Sequence, residues 1–418
     1  MKKLRKITKS LAAGTAAAVL LTAYPLPAGA EEVTAGVPES PWVSEWQEGD
    51  AYSVSEDAYQ IYPVPQSVDY TGSEGAAFVL PDEVAVVAGE NIDEPTLDYL
   101  EEVLGEYGRT GQPAEKAEGE GNIVIGVLGT GDQADLWFRE KGLDTEMFAQ
   151  PDAYALYAEE GNIYILGKDT DAAFRGVATL KMMFSSFAGE RFLHVRILDY
   201  ASIDARGYIE GFYGGWTHEQ RKSLMEFTRD IKMNIYVYAS KTDPYHTSKW
   251  AELYPDEMIG EFRELTALQE EMKCEFSWSV HLTNMLSGIT STTDPRYEER
   301  KQQLMDKFDQ LYEIGVRRFC ILNDDFGSGS NEVVVSLIND LNEEYVGPKG
   351  CENIIYCPQG YNNSWARPAE LEAMRGFDED VLIFWTGLDV NSPFEQSSID
   401  YVIENTGHSP VFWVNYPC

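Results

Sequence analysis

Two adjacent carboxylates, Asp324 and Asp325, close the run Cys320-Ile-Leu-Asn-Asp-Asp325. Successive side chains leaving a strand point to opposite sides. An acidic pair at a strand exit therefore meets two environments and can titrate at two pH values, as acid/base chemistry requires. Spacing alone also allows a turn or helix cap ahead of Gly327 and Ser328. Other short apolar runs end in related residues. Glu210-Gly-Phe-Tyr-Gly-Gly-Trp216 sets glycines, which let a ligand approach the backbone, beside aromatic faces. Lys241, Asp243, Tyr245 and His246 follow a second run, Tyr361 and Asn362 another, and Trp385-Thr-Gly387 and Trp413-Val-Asn-Tyr416 two more. Taken singly, each aromatic reads as a core or loop anchor. Repeated at several strand ends, aromatics with hydrogen-bonding side chains suit a neutral, polyhydroxylated ring, its apolar faces stacked and its hydroxyls bonded.

Such residues need a frame. From Arg206 onward seven apolar runs recur: Tyr208–Phe212, Asn234–Ala239, Glu275–Val280, Arg318–Leu322, Ile354–Cys357, Val381–Trp385 and Val411–Trp413. Charged amphipathic stretches such as Thr217–Ile231, Tyr297–Ile314 and Glu332–Tyr345 separate them and predict helices. Near-continuous apolar strands alternating with helices argue for a covered parallel sheet, either doubly wound or a (β/α)8 TIM-type barrel. Polar or aromatic residues at nearly every strand's carboxyl end favour the barrel, whose sites lie on that rim. A barrel takes about 250 residues, more than lie between Arg206 and Cys418. The expectation is therefore an α/β barrel across residues 201–418 that is C-terminally incomplete after its seventh strand, and residues 31–418 alone are expected to aggregate or turn over little substrate.

Upstream, residues 59–200 predict a smaller α/β domain. Ala153–Ala158 and Asn162–Leu166 flank a Glu-Glu-Gly turn as a hairpin, and Asp169 caps a helix to Phe187 whose apolar face is Phe174, Val177, Leu180, Met183 and Phe184. Residues 31–58, rich in Glu, Pro, Ser and Gly, read as a linker or extended lead-in. The basic start Lys2–Lys9, the apolar Leu11–Leu26 and Ala28-Gly-Ala30 read as a secretory signal peptide over residues 1–30, which predicts a secreted protein. No later segment reaches about 18 uninterrupted apolar residues, so no membrane insertion is expected after cleavage.

A net charge of -38, with 44% hydrophobic residues, describes a globular chain whose surface repels phosphate backbones; nucleic acid is not an expected partner. Cys274, Cys320, Cys351, Cys357 and Cys418 contain no CxxC pair, so no metal or cofactor is expected. Cys351 and Cys357 could bridge, although Cys357 within an apolar run fits a buried free thiol equally well.

Three motifs in order, Arg206-Gly-Tyr-Ile-Glu-Gly-Phe-Tyr-Gly-Gly-Trp216, Met233-Asn-Ile-Tyr-Val-Tyr-Ala-Ser-Lys-Thr-Asp-Pro-Tyr-His246 with Trp250 and Tyr254-Pro255, and Asn323-Asp-Asp325, resemble the catalytic barrel of glycoside hydrolase family 84. That family holds the bacterial hyaluronidase-like β-N-acetylglucosaminidases and the protein O-GlcNAcases. The domain before the barrel is similar to the one that precedes barrels there and in the family 20 hexosaminidases. The resemblance implies retaining hydrolysis of terminal β-linked N-acetylglucosamine (GlcNAc) in glycans or glycoproteins, the substrate's 2-acetamido oxygen closing an oxazoline. Asp324 would polarise the acetamido N–H and Asp325 would be the general acid/base. Gly211 would contribute its backbone, Lys241, Tyr361 and Asn415 would bond the sugar or its acetamido group, and Trp413 would wall the pocket.

The chain departs from the family's pattern at Ser240 and Thr242, where Pro and Asp usually flank the lysine. A further sugar-binding Asp, expected a few residues past Trp413-Val-Asn415, falls beyond Cys418. Two alternatives compete. A carbohydrate-binding or adhesion protein that has lost catalysis would keep the aromatics and lose the carboxylate pair, which is present. A family 20-like β-hexosaminidase would pair Asp with Glu where this chain has Asp324-Asp325.

Overall fold

The structure, a computed structural model, describes residues 58–72, 76–211, 214–325, 329–393 and 395–415. The expected leader, the lead-in through residue 57, and Cys418 lie outside the described residues.

The smaller domain is a seven-stranded mixed sheet built from β1 (Ser67–Tyr70), β3 (Glu83–Ala88), β4 (Thr110–Pro113), β5 (Asn122–Val127), β6 (Tyr154–Glu159), β7 (Asn162–Gly167) and β9 (Val195–Asp199), in the order β1-β9-β6-β7-β5-β3-β4; β2 (Ala77–Phe78) pairs separately with β8 (Phe192–Leu193). β6 and β7 form the expected antiparallel hairpin, with Glu160 and Gly161 both at positive φ in its turn. Helices α1 (Glu94–Glu106), α2 (Gln133–Glu140) and α3 (Thr170–Ser186) cover the sheet. α3 starts where Asp169 accepts from the Ala172 amide at 2.8 Å and buries the anticipated apolar face. Gly176 allows α3 its close approach to the sheet: a Cβ there would lie 2.7 Å from Ile165 Cγ2.

The larger domain is a second seven-stranded sheet, wholly parallel and in sequence order: β10 (Gly207–Ile209), β11 (Ile235–Tyr238), β12 (Glu275–His281), β13 (Phe319–Leu322), β14 (Ile355–Cys357), β15 (Leu382–Trp385) and β16 (Pro410–Phe412). Helices α4 (His218–Asp230), α5 (Asp256–Met272), α6 (Leu282–Met285), α7 (Pro295–Tyr312), α8 (Asn331–Leu341), α9 (Gly347–Lys349), α10 (Pro368–Met374) and α11 (Gln396–Thr406) fall between strands. This strand–helix alternation is that of a TIM-type barrel; among the described residues β10 and β16 each have one neighbouring strand. The apolar runs are explained by burial on both faces. Ile235, Val237, Cys320, Leu322, Ile355 and Cys357 pack on the concave side, while Tyr236, Tyr238, Phe319, Ile321 and Tyr356 join the core beneath the helices.

Charged contacts fasten the two sheets' domains to each other. Arg229 of α4 grips Glu102 of α1 with two bonds of 2.7 and 2.8 Å, and buried Lys232 donates to Asp199 at 2.9 Å and to the Tyr154 hydroxyl at 2.8 Å. Lys273, after α5, pairs with Asp93 and with Asp171. Pairs of this kind are registration devices more than sources of net stability, because burial costs the ions their hydration.

Cys274, Cys320, Cys351 and Cys357 are all free thiols, so the possible Cys351–Cys357 bridge is not formed. β14 lies between the two, with Cys357 wholly buried on the concave side and Cys351 ahead of the strand.

Candidate active site

Asn323, Asp324 and Asp325 follow β13 directly, and the Asn323 amide continues the ladder to Cys357 O at 2.9 Å. The two aspartates then diverge. Asp324 is 5% exposed, whereas Asp325 is exposed and takes φ +55°, a left-handed turn that swings its side chain away from its neighbour's. Burial pushes the Asp324 carboxyl up, but the His281 contact and the Lys241 charge outweigh it and hold the group at about 2. Lys241 Nζ stands 3.6 Å from Asp324 Oδ2, and His281 Nε2 3.4 Å from Oδ1. Asp324 Oδ1 is buried and has no hydrogen-bond partner among the described residues.

Lys241 is delivered by the loop after β11, which is anchored from beneath. Asp243 accepts from the Tyr245 amide at 2.7 Å, from Tyr254 at 2.6 Å and from Tyr238 at 3.2 Å. Lys307 of α7 donates to the carbonyls of Tyr245 and Lys249 at 2.9 and 3.2 Å, its ammonium standing over the rings of Tyr254, Tyr245 and Trp278. Ser240 and Thr242, the two departures beside the lysine, face each other at 3.2 Å between hydroxyls. His246, noted in the same run, is wholly buried; burial lowers it to about 4, and Nδ1 lies 2.9 Å from Ser279 O. It belongs to the support of the loop.

Tyr361 comes from the loop after β14. Buried Glu370 of α10 accepts from the amides of Gln359 and Gly360 at 2.8 and 3.2 Å, and Tyr361 O accepts from Thr386 N at 2.9 Å. So held, the Tyr361 hydroxyl donates to Asp325 Oδ1 at 3.3 Å.

Asp324, Asp325, Lys241 and Tyr361 thus form one connected group. Gly211, Trp413 and Asn415 form another, around a cavity of about 720 Å³ between the first and last strands, lined also by Tyr208, Val237 and Phe384. A Cβ on Gly211 would lie 3.0 Å from Trp413 Cζ2, so the missing side chain is what admits the indole. Two neighbours of the site escaped sequence reasoning. His281 ends β12 one residue past the run read as a strand, and Glu370 sits in a short helix with no motif. Among the described residues no three His, Cys, Asp or Glu side chains converge as metal ligands would, and no helix is long and apolar enough to cross a membrane.

Residues 206–418 match the family model described as beta-N-acetylglucosaminidase. The chain belongs to this family, glycoside hydrolase family 84. Residues 58–200 match the second domain of glycosyl hydrolase family 20. The protein O-GlcNAcases of Rattus norvegicus and Mus musculus are each 30% identical to this family member over 231 residues, covering 50% of it. The chain spans 24% of the length of these relatives. Among solved structures, CpGH84D superposes with a TM-score of 0.76 at 32% identity, over 86% of this chain and 61% of the other. CpGH84B gives 0.74 at 27% identity, over 86% and 62%.

Proposed function

We propose that this family 84 member is a secreted β-N-acetylglucosaminidase that removes terminal β-linked GlcNAc from glycans or glycoproteins with retention of configuration. The observation that carries the reading is the split pair: Asp324 is buried, held anionic and has one oxygen with no hydrogen-bond partner among the described residues, while Asp325 is exposed beside the Tyr361 hydroxyl. A permanent carboxylate with a free lone pair suits an amide N–H. An exposed carboxyl suits proton exchange with a leaving group and then with water.

In the proposed sequence, Asp324 Oδ1 accepts the hydrogen bond of the 2-acetamido N–H and turns the carbonyl oxygen toward the anomeric carbon. That oxygen attacks, the glycosidic bond breaks, and Asp325 gives its proton to the departing oxygen. Asp324 balances the positive charge that gathers on the oxazoline ring. Water then attacks the same carbon as Asp325 takes a proton from it, and the acetamido group is restored. Lys241, Tyr361 and Asn415 bond the sugar or its acetamido group, the Gly211 backbone lies against the ring, and Trp413 walls the pocket. A carbohydrate-binding protein without catalysis would have no use for a charge-separated pair.

The direct test is hydrolysis of an aryl β-N-acetylglucosaminide by the full-length protein, with the anomer of the first-formed sugar read by proton NMR. Release of the β-anomer supports the reading; release of the α-anomer, or no turnover, removes it. Export is tested separately by sequencing the N-terminus of the mature protein, which should begin near Glu31.

A further inference from the structure

We propose that His281 is a positioning residue for Asp324, fixing through one hydrogen bond the turn that carries both carboxylates; the inference rests on the function proposed above. His281 is the last residue of β12 and caps α6, its Nδ1 lying 3.2 Å from the Thr283 amide nitrogen and 2.6 Å from Thr283 Oγ1. A backbone amide can only donate, so Nδ1 is the acceptor and the ring's proton sits on Nε2. Nε2 stands 3.0 Å from the Asp324 carbonyl oxygen and 3.4 Å from Asp324 Oδ1.

That geometry assigns the donor mainly to the carbonyl. The carbonyl belongs to the peptide joining Asp324 to Asp325, immediately before the left-handed φ of +55° at Asp325. Aspartate enters that region more readily than most residues, yet still at a cost that its surroundings offset. The His281 bond, on a ring 8% exposed and set by Thr283, is such a constraint. With the carbonyl engaged, Oδ2 turns toward Lys241 at 3.6 Å, and Oδ1, 3.4 Å from His281 Nε2, has no hydrogen-bond partner among the described residues, which leaves it for the acetamido N–H. Threonine, histidine and aspartate thus form a relay of orientation from α6 to the site, in which His281 never touches the substrate.

His281→Asn separates this role from simple packing. Asparagine can still cap α6 by accepting from Thr283, but it is too short to reach Asp324. The unfolding midpoint should stay within about 3 °C of the unaltered protein's, while kcat/KM on an aryl β-N-acetylglucosaminide falls about tenfold or more, mainly through kcat. A loss under about threefold, or one carried by KM with kcat unchanged, would overturn the inference. Should His281→Asn fail to fold, nitrogen-15 NMR of the His281 ring in the unaltered protein decides: a proton on Nε2 supports the assignment and a proton on Nδ1 overturns it. An unaltered protein with no glycosidase activity would overturn the functional reading, and this role with it, whatever the tautomer.

Discussion

The Tyr361 hydroxyl donates to Asp325 Oδ1 at 3.3 Å, joining the loop after the fifth strand of the parallel sheet to the turn after its fourth. Burial, with the negative charges of Asp325 and Asp324 behind it, raises the Tyr361 phenol, so the group keeps its proton and remains a donor. The exposed carboxylate is tied to a loop that Glu370 holds by two amides, whereas Asp324 is tied to Lys241 and His281. Two neighbouring residues of one type therefore have separate supports, the condition for separate chemical tasks.

Asp325→Asn should separate substrates by leaving group. Unactivated glycosides, which need a full proton on the departing oxygen, should lose about 10³-fold in kcat/KM, and activated aryl glycosides about tenfold or less in the glycosylation step. Matched kinetics on one substrate of each kind checks this. Equal losses on both would take the acid role away from Asp325.

Asp324→Asn should depress every substrate alike, because it removes the group that orients the nucleophile. It also has a signature in stability. The folded carboxyl lies at about 2 against an ordinary 3.8. A depressed acid contributes stability above its unfolded pKa and loses it as pH falls toward the folded one. That contribution is about 2 kcal/mol at neutral pH. Urea midpoints of the unaltered and Asp324→Asn proteins should differ at pH 6 and converge between pH 4 and pH 2.

Gly211→Ala places a methyl 3.0 Å from the Trp413 indole, which must shift. KM should rise about fivefold or more with a smaller change in kcat, since binding and not proton transfer is disturbed. Gly176→Ala, more crowded at 2.7 Å from Ile165 Cγ2 but inside the smaller domain, should lower the unfolding midpoint and leave KM alone.

The parallel sheet was legible because its strands are buried on both faces, which writes them as unbroken apolar runs such as Phe319–Leu322. Asp324 and Asp325 were legible because they stand at such a run's exit. What lay outside sequence reach was contact made by folding. His281 meets Asp324 only because β12 and β13 are neighbours in register, His281 opposite Leu322. Glu370 reaches back ten residues to a loop whose amides carry no sequence signal. Gly211 and Trp413 sit beyond the first and last strands, and only the curl of the sheet brings them into contact. Strand ends moved too: the first run was read through Phe212, which lies outside the described residues, and among the described residues regular pairing runs to Ile209 with one further bond, Glu210 N to Val237 O at 2.9 Å, before Gly211.

The thiols offer a check that needs no substrate. Burial raises Cys320 to about 12, Cys274 to about 11 and Cys357 well above its ordinary value. Iodoacetamide reacts with thiolates, so a short pulse on the folded protein should leave these three unmodified by mass spectrometry, and the same pulse in denaturant should label them all. Rapid labelling of Cys357 in the folded state would show that the concave face beneath the site is open.

The central claim is that the substrate supplies its own nucleophile while Asp324 aims it. Replacing the acetyl hydrogens by fluorine weakens the carbonyl oxygen as a nucleophile without altering the leaving group. Across mono-, di- and trifluoroacetyl aryl glucosaminides, log kcat/KM should fall steeply with each fluorine, and no carboxylate of the protein should acquire a sugar. A rate indifferent to fluorination, or a trapped glycosyl ester on any Asp or Glu, would contradict the account.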